Sequence, residues 1–130
     1  MRKMDKKDLQ KRTKQFALRV FKLVKAMPNT TEARVIGRQI IRSASSVGAN
    51  YRAACRGRSR AEFIAKLGIV EEEADETVFW LEMIIEAGIF KKEKITPLLK
   101  EANEMVSIIV VSLKSVKGNK SEIRNRKSEI

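Results

Sequence analysis

Residues 42–51 read Arg-Ser-Ala-Ser-Ser-Val-Gly-Ala-Asn-Tyr, and the architecture of the whole chain can be worked out from this segment. Apolar residues recur through and around it at steps of three and four, the period of one helix face: Ile36, Ile40, Ala44, Val47, Tyr51 and Ala54. The other positions are mostly small, so a neighbouring helix can approach closely, and Ser43, Ser46 and Asn50 can hydrogen-bond across the contact. The pattern predicts a helix from Thr30 or Thr31 to about Arg56 with a tight helix–helix seam.

A second helix is predicted directly after the first. Residues 59–62, Ser-Arg-Ala-Glu, fit a capping box, in which the Ser59 hydroxyl accepts from the Glu62 backbone N–H and the Glu62 carboxylate reaches back. The helix should end near Ala87, because Gly88 is the residue type expected just past a helix C-terminus. One apolar face runs along it: Phe63, Leu67, Val70, Ala74, Val78, Leu81 and Ile85.

Two more amphipathic helices flank this pair. The first should run from Asp5 or Asp8 to Met27, and the last should begin at Thr96-Pro97 and end at Gly118-Asn119. Short connections favour antiparallel neighbours, so residues 1–117 are predicted to form an all-α, antiparallel up-down four-helix bundle. Residues 118–130 contain few apolar side chains and are predicted to be a disordered tail.

Several positions match a known pattern in order and spacing: residues 42–50, Ser59, Glu62-Phe63, Lys66-Leu67, residues 73–76 and Trp80-Leu81-Glu82. On these residues the sequence resembles, over roughly 8–117, the bacterial four helix bundle protein family, often encoded in intervening sequences within 23S ribosomal RNA genes. The resemblance implies a ring-shaped homopentamer. Many relatives carry a Glu where this chain has Ala53-Ala54-Cys55, so no role is carried over for that carboxylate.

The residue types present exclude several classes of enzyme and metalloprotein. The chain has no histidine and one cysteine among 130 residues. A di-iron bundle needs Glu-x-x-His pairs, and zinc sites normally draw on Cys and His. The sequence also lacks a Gly-rich phosphate loop and a nucleophile paired with an imidazole. We therefore predict a non-enzymatic protein without a metal or a cofactor.

The chain also has no apolar run of membrane-spanning length, and its charged start is not followed by an apolar signal core. A single cysteine cannot form an intrachain disulfide, which agrees with a reducing compartment. We expect a soluble, cytoplasmic protein that does not contact a membrane.

The net charge of +12 is unevenly distributed: residues 1–27 carry +8 and residues 28–60 carry +6, whereas residues 61–90 carry −7. Two basic helices beside an acidic one favour a polyanionic partner, and we predict nucleic acid, with structured RNA preferred. Only 5% of residues are aromatic, so contacts should go mainly to phosphates. The predicted binding residues are Lys7, Lys11, Lys14, Lys22, Lys25, Arg34, Arg38, Arg52 and Arg56. The arginines suit an anionic partner, the acidic helix, or both.

The acidic helix is apolar on a second side, and a helix that is apolar on two sides must be buried on two sides. Either it lies centrally between two neighbours in the bundle, or this side is a subunit interface. The predicted interface residues are Ile69, Glu73, Glu76, Phe79, Trp80 and Met83. Glu73 or Glu76 could pair there with an arginine.

Other functions remain open on the sequence. The accessory variability determinants of diversity-generating retroelements resemble this family in fold, which favours an accessory scaffold that docks a reverse transcriptase as the alternative. Helical spacing also places Glu72 beside Asp75 and Glu76, where a Mg²⁺ ion of a metal nuclease could bind. Pairing of these carboxylates with arginines is the simpler interpretation. Cys55 and Trp80 are interpreted as packing residues.

Overall fold

The computed structural model describes residues 5–128, with side chains described for residues 5–118. This part of the chain contains four helices and no strand: α1 (Lys6–Lys25), α2 (Thr31–Cys55), α3 (Arg60–Glu86) and α4 (Lys92–Ser128). Each helix packs against two others, in the cyclic order α1, α2, α3, α4. The α1/α2 face is therefore opposite the α3/α4 face, and the predicted four-helix bundle is confirmed.

The first three helices start at the capping residues expected from the sequence. The Asp5 carboxylate accepts from the Asp8 backbone N–H at 2.8 Å, and the Thr30 hydroxyl accepts from the Ala33 N–H at 3.2 Å. At α3, Ser59 Oγ accepts from the Glu62 N–H at 3.1 Å, as predicted. The second half of the predicted capping box is wrong, because the Glu62 carboxylate accepts instead from the Arg58 N–H at 2.7 Å.

The C-terminus of α3 confirms the role predicted for Gly88. This glycine has a φ of +70°, the left-handed region that a side chain disfavours. The N–H groups of Gly88 and Ile89 donate to the carbonyls of Ile85 and Ile84, each at 3.0 Å, which is a Schellman motif. The motif satisfies two carbonyls at the helix end and directs the chain towards α4.

Helix α4 is longer at both ends than the sequence suggested. It begins at Lys92, and Thr96 does not cap it: the Thr96 hydroxyl donates to the Lys92 carbonyl at 2.8 Å. The earlier start places Ile95 in the core, where it is fully buried. Pro97 is the sixth residue of α4, so the helix lacks the N–H that would donate to the Glu93 carbonyl.

At its other end α4 passes through Gly118 and Asn119 to Ser128, so the helix end predicted at Gly118 is wrong. A glycine costs only about 1 kcal/mol within a helix relative to alanine, and no proline follows it. The disordered tail was predicted over 118–130; its backbone is helical as far as Ser128, and residues 129 and 130 lie outside the described residues.

The core consists of two apolar clusters, one at each half of the bundle. Between them along the helices lies a band of three fully buried hydroxyl side chains, Thr13, Ser43 and Thr77, next to the small Ala44 of the first cluster. The Oγ atoms of Ser43 and Thr77 are 2.9 Å apart and form the hydrogen-bonded contact between α2 and α3. This band is the tight seam predicted from residues 42–51, and it sets the antiparallel register of the two helices.

Candidate nucleic-acid interface

All nine basic residues that the sequence singled out are exposed in the structure. Within the described residues none of them forms a salt bridge: the ion pairs there are made by Arg12 and Arg42. Arg34 instead donates a hydrogen bond to Asn29 Oδ1 at 2.5 Å. The positive side chains of α1 and α2 are therefore largely unneutralised and face solvent.

The structure brings four of the nine together around one groove between α1 and α2. Lys11 and Lys14 line it from α1, and Arg52 and Arg56 line it from α2. The groove has a volume of about 610 Å³. We call it the basic groove. Four like charges on facing sides of a concave surface concentrate the positive potential there, which favours an anionic ligand.

The groove exists because α2 has small residues where it faces α1. Ser45, Gly48 and Ala49 form its α2 side. A Cβ placed on Gly48 would lie 3.6 Å from the Thr13 carbonyl carbon and 3.7 Å from the Lys14 nitrogen, so the two backbones are close at this point. We call the backbone, the short side chains and the apolar residues that line the groove its floor, and the four basic side chains its rim.

The other five residues lie elsewhere. Arg34 and Arg38 line a separate depression of about 320 Å³ near the start of α2, and Lys22 lines one between α1 and α4 with Arg19 and Lys94. Lys7 and Lys25 are exposed near the two ends of α1. All nine predicted residues are thus basic and exposed to solvent, but only four of them line the basic groove.

Part of the basic charge is neutralised by α3 of the same chain, which the sequence left as an alternative. Arg42 of α2 donates to Glu73 of α3 at 2.9 Å and also pairs with Glu76. The predicted pairing of these carboxylates with an arginine is thus observed within one chain. Arg42 is on the flank of α2, away from the basic groove, so its neutralisation leaves the groove charges intact.

A second ion-pair cluster was not anticipated from the sequence. Arg12 of α1 donates through Nε and Nη2 to Glu101 of α4, at 2.6 and 2.5 Å, and through Nη2 to Glu104 at 2.7 Å. The hydrogen bonds and charge of Arg12 lower the pKa of the Glu101 carboxyl, and the pKa of the Arg12 guanidinium is raised by the same contact. The cluster joins the first helix to the last.

Three further carboxylates of α3 border the opposite face of the bundle. Glu71, Glu72 and Asp75 line a depression between α3 and α4. Among the described residues, no three Asp, Glu or Cys side chains are grouped closely enough to hold a metal ion. The magnesium site considered for Glu72, Asp75 and Glu76 is therefore not assembled in the structure.

The predicted interface residues form a partly exposed strip on α3. Ile69 and Phe79 are exposed, Phe79 by 50%, while Glu73, Glu76, Trp80 and Met83 are half-buried. The rings of Phe79 and Trp80 meet edge to face at 4.9 Å, and Trp80 Nε1 donates to Glu76 at 3.3 Å. Trp80 and Met83 also pack against the core, as expected for a central helix. The exposed Ile69 and Phe79 do not, and the subunit interface stays a prediction.

Cys55 has a structural environment consistent with a packing residue. It is half-buried and packs against the core cluster that contains Val47 and Tyr51. Burial raises the pKa of the Tyr51 phenol, and the hydrogen bond between Tyr51 and Cys55 contributes.

None of the helices in the described part of the chain has the length and the apolar character that crossing a membrane requires.

The architecture and surface define a small all-α bundle with a basic groove on its first two helices and an acidic third helix. The chain belongs to the 23S rRNA-intervening sequence protein family, whose model matches residues 5–111. This match confirms the resemblance noted from the sequence motifs. No curated protein matches the chain.

A similar solved structure is the 1.70 Å crystal structure of a protein with unknown function from the S23 ribosomal protein family of Bacteroides thetaiotaomicron. The two chains are 34% identical, and the TM-score is 0.76. The match covers 81% of this chain and 97% of the other. The four-helix architecture is therefore shared with a member of that family.

Proposed function

We propose that the protein is a non-enzymatic nucleic-acid-binding bundle that holds RNA by its phosphates in the basic groove. The observation that carries this proposal is the convergence of Lys11, Lys14, Arg52 and Arg56, from two helices, on one groove without a carboxylate among its lining residues. Phosphate contacts of this kind supply affinity but little specificity for the nucleotide sequence. The family description names an intervening sequence of 23S rRNA, so a 23S rRNA fragment is the first RNA to test.

Salt dependence gives the expected size of the effect. Each phosphate neutralised contributes about −0.7 to the slope of log K against log salt for a single strand and about −0.9 for a duplex. Four groove cations therefore predict a slope between about −2.8 and −3.6 per subunit. A homo-oligomeric ring, which the family resemblance implies, would add avidity by presenting several grooves to one RNA.

The test compares two double charge reversals on the same helix. Lys11→Glu with Lys14→Glu changes the groove, and Lys22→Glu with Lys25→Glu makes the same change in net charge outside it. Anisotropy with a labelled 23S rRNA fragment should show at least about tenfold weaker binding for the groove variant and a slope smaller by about 1.4. The control variant should lose much less affinity. Equal loss in both would show that bulk charge, rather than the groove, binds RNA.

A second candidate function is an accessory scaffold that docks a partner enzyme, such as a reverse transcriptase. The exposed apolar strip on α3 favours it, since Ile69 and Phe79 offer a contact surface on the side away from the core. Binding of a candidate enzyme that is lost on Phe79→Ser and kept in the groove variant would support this alternative.

A further inference from the structure

The lining of the basic groove is chemically mixed, which simple phosphate binding does not require. Besides its four cations, the groove is lined by four apolar residues and three others. The apolar ones are Ala17, Leu18, Phe21 and Ala49, and the others are Gln10, Ser45 and Gly48. Leu18 is 55% exposed there, although it is a large apolar side chain. Ser45 donates its hydroxyl to the Ile41 carbonyl of its own helix at 2.6 Å. The floor therefore offers mainly hydrocarbon and aromatic surface to a ligand.

A double helix cannot use such a floor. Its bases are stacked, so their faces are covered and only base edges, sugars and phosphates are accessible. Packed helices have axes about 8–10 Å apart, so the space between α1 and α2 is too narrow for a duplex. A duplex would contact the rim cations and leave Leu18 and Phe21 in water.

An unpaired strand matches both parts of the lining. Its bases are free to lie against apolar and aromatic side chains, while its phosphates reach the cations on either side. The groove volume of about 610 Å³ falls in the range that encloses small organic ligands, which is enough for a short run of nucleotides. Cations on both sides of the groove would bind the phosphates of the nucleic-acid backbone while its bases lie against the floor.

We propose that the basic groove binds unpaired nucleotides, with bases against Leu18, Phe21 and Ala49 and with phosphates on the four rim cations. This inference rests on the proposed function and narrows its substrate to single-stranded nucleic acid, including the loops and bulges of a structured RNA. Sequence-tolerant binding is expected, because every base has an apolar face that can lie against the floor.

The test uses one 12-nucleotide RNA, alone and annealed to its complement, at one salt concentration, with DNA strands of the same sequence in parallel. The single RNA strand should bind at least about tenfold more tightly than the duplex. Ala49→Leu fills the floor without changing charge, so it should weaken single-strand binding at least about fivefold. Ala61→Leu, at an exposed position on α3, is the matched control and should bind as the wild type does.

The outcomes separate the two proposals. Duplex binding as tight as single-strand binding, both lost in the Lys11→Glu, Lys14→Glu variant, overturns the inference and leaves the proposed function standing. No binding of either form overturns both. Tight binding of single-stranded DNA as well as RNA supports the inference, and binding of RNA alone supports it with the 2′-hydroxyl as an added contact.

Discussion

Arg12 joins the first helix of the bundle to the last through Glu101 and Glu104. The Arg12 and Glu101 side chains are only 23% and 18% exposed, so their hydrogen bonds are partly shielded from water. Hydrogen bonds to charged groups in such positions contribute about 1.5–3 kcal/mol. We expect this cluster to matter more for stability than the more exposed Arg42 pairs, since surface ion pairs contribute about 0–1 kcal/mol.

Glu101→Gln should lower the free energy of unfolding at pH 7 by about 1–2 kcal/mol, because a neutral amide replaces the carboxylate that Arg12 contacts. Since the pKa of Glu101 is lowered in the folded state, its contribution is fully present above the unfolded value of about 4.3 and is lost as the pH falls through the lower folded value. The difference between wild type and variant should therefore shrink below about pH 4.3.

Urea unfolding at pH 7, 5 and 3 measures this dependence. Glu104→Gln is the control, because Glu104 is 55% exposed and makes a single contact with Arg12. A difference for Glu101→Gln that is as large at pH 3 as at pH 7 would contradict the ion-pair explanation.

For single residues, the sequence predicted exposure to solvent but not the contacts made between helices. The exposure of Lys11 and Lys14 follows from helical periodicity alone, because their apolar neighbours fix which side of α1 faces inward. The partners of Arg12 do not follow from it, since they depend on how α1 and α4 are placed side by side. The same reason explains why the nine basic residues could be predicted as exposed but not divided into groove and non-groove members.

At the scale of the helix, α2 carries small residues on two sides, and these sides have different roles. Ser43 and Ala44 make the buried seam with α3, while Ser45, Gly48 and Ala49 form the open groove with α1. The seam was predictable because the small residues coincide with the apolar period. The groove was not, because its depth depends on the distance between two helices.

Ala44→Leu should therefore destabilise the bundle by about 1–3 kcal/mol or more, because the seam has no room for three additional carbons. Ala49→Leu introduces the same side chain five residues later at an exposed position and should change stability by less than about 0.5 kcal/mol. Thermal unfolding followed by circular dichroism compares the two. Equal melting temperatures would show that the seam is looser than its burial indicates.

Helix ends show which local signals are strong enough to be decisive. Asp5, Thr30, Ser59 and Gly88 all act where the sequence placed them, since each satisfies backbone groups of its own helix end. Thr96-Pro97 carries an equally plausible start signal, yet α4 begins four residues earlier. Burial of Ile95 explains the difference, because a core contact outweighs a capping preference.

For the whole molecule, the exposed strip on α3 predicts self-association. Phe79 is 50% exposed and contacts Trp80, and Phe79→Ser removes apolar surface without opening the core. We expect this variant to sediment as smaller species than the wild type. Val111→Ser is the control, because Val111 is 66% exposed on α4 and lies outside the strip. An unchanged sedimentation profile for Phe79→Ser would count against a subunit interface on α3.

The α1/α2 face of the bundle lies opposite the α3/α4 face. When the basic groove of a subunit binds RNA, the α3/α4 face is therefore the one exposed to the solvent. A subunit that attaches to a strand through its basic groove turns Glu71, Glu72 and Asp75 towards the solvent. These carboxylates would then surround the coated strand, and the positively charged grooves of further subunits would be attracted to them. Coverage should consequently continue beyond a single layer when protein is in excess, and salt should suppress the additional layers.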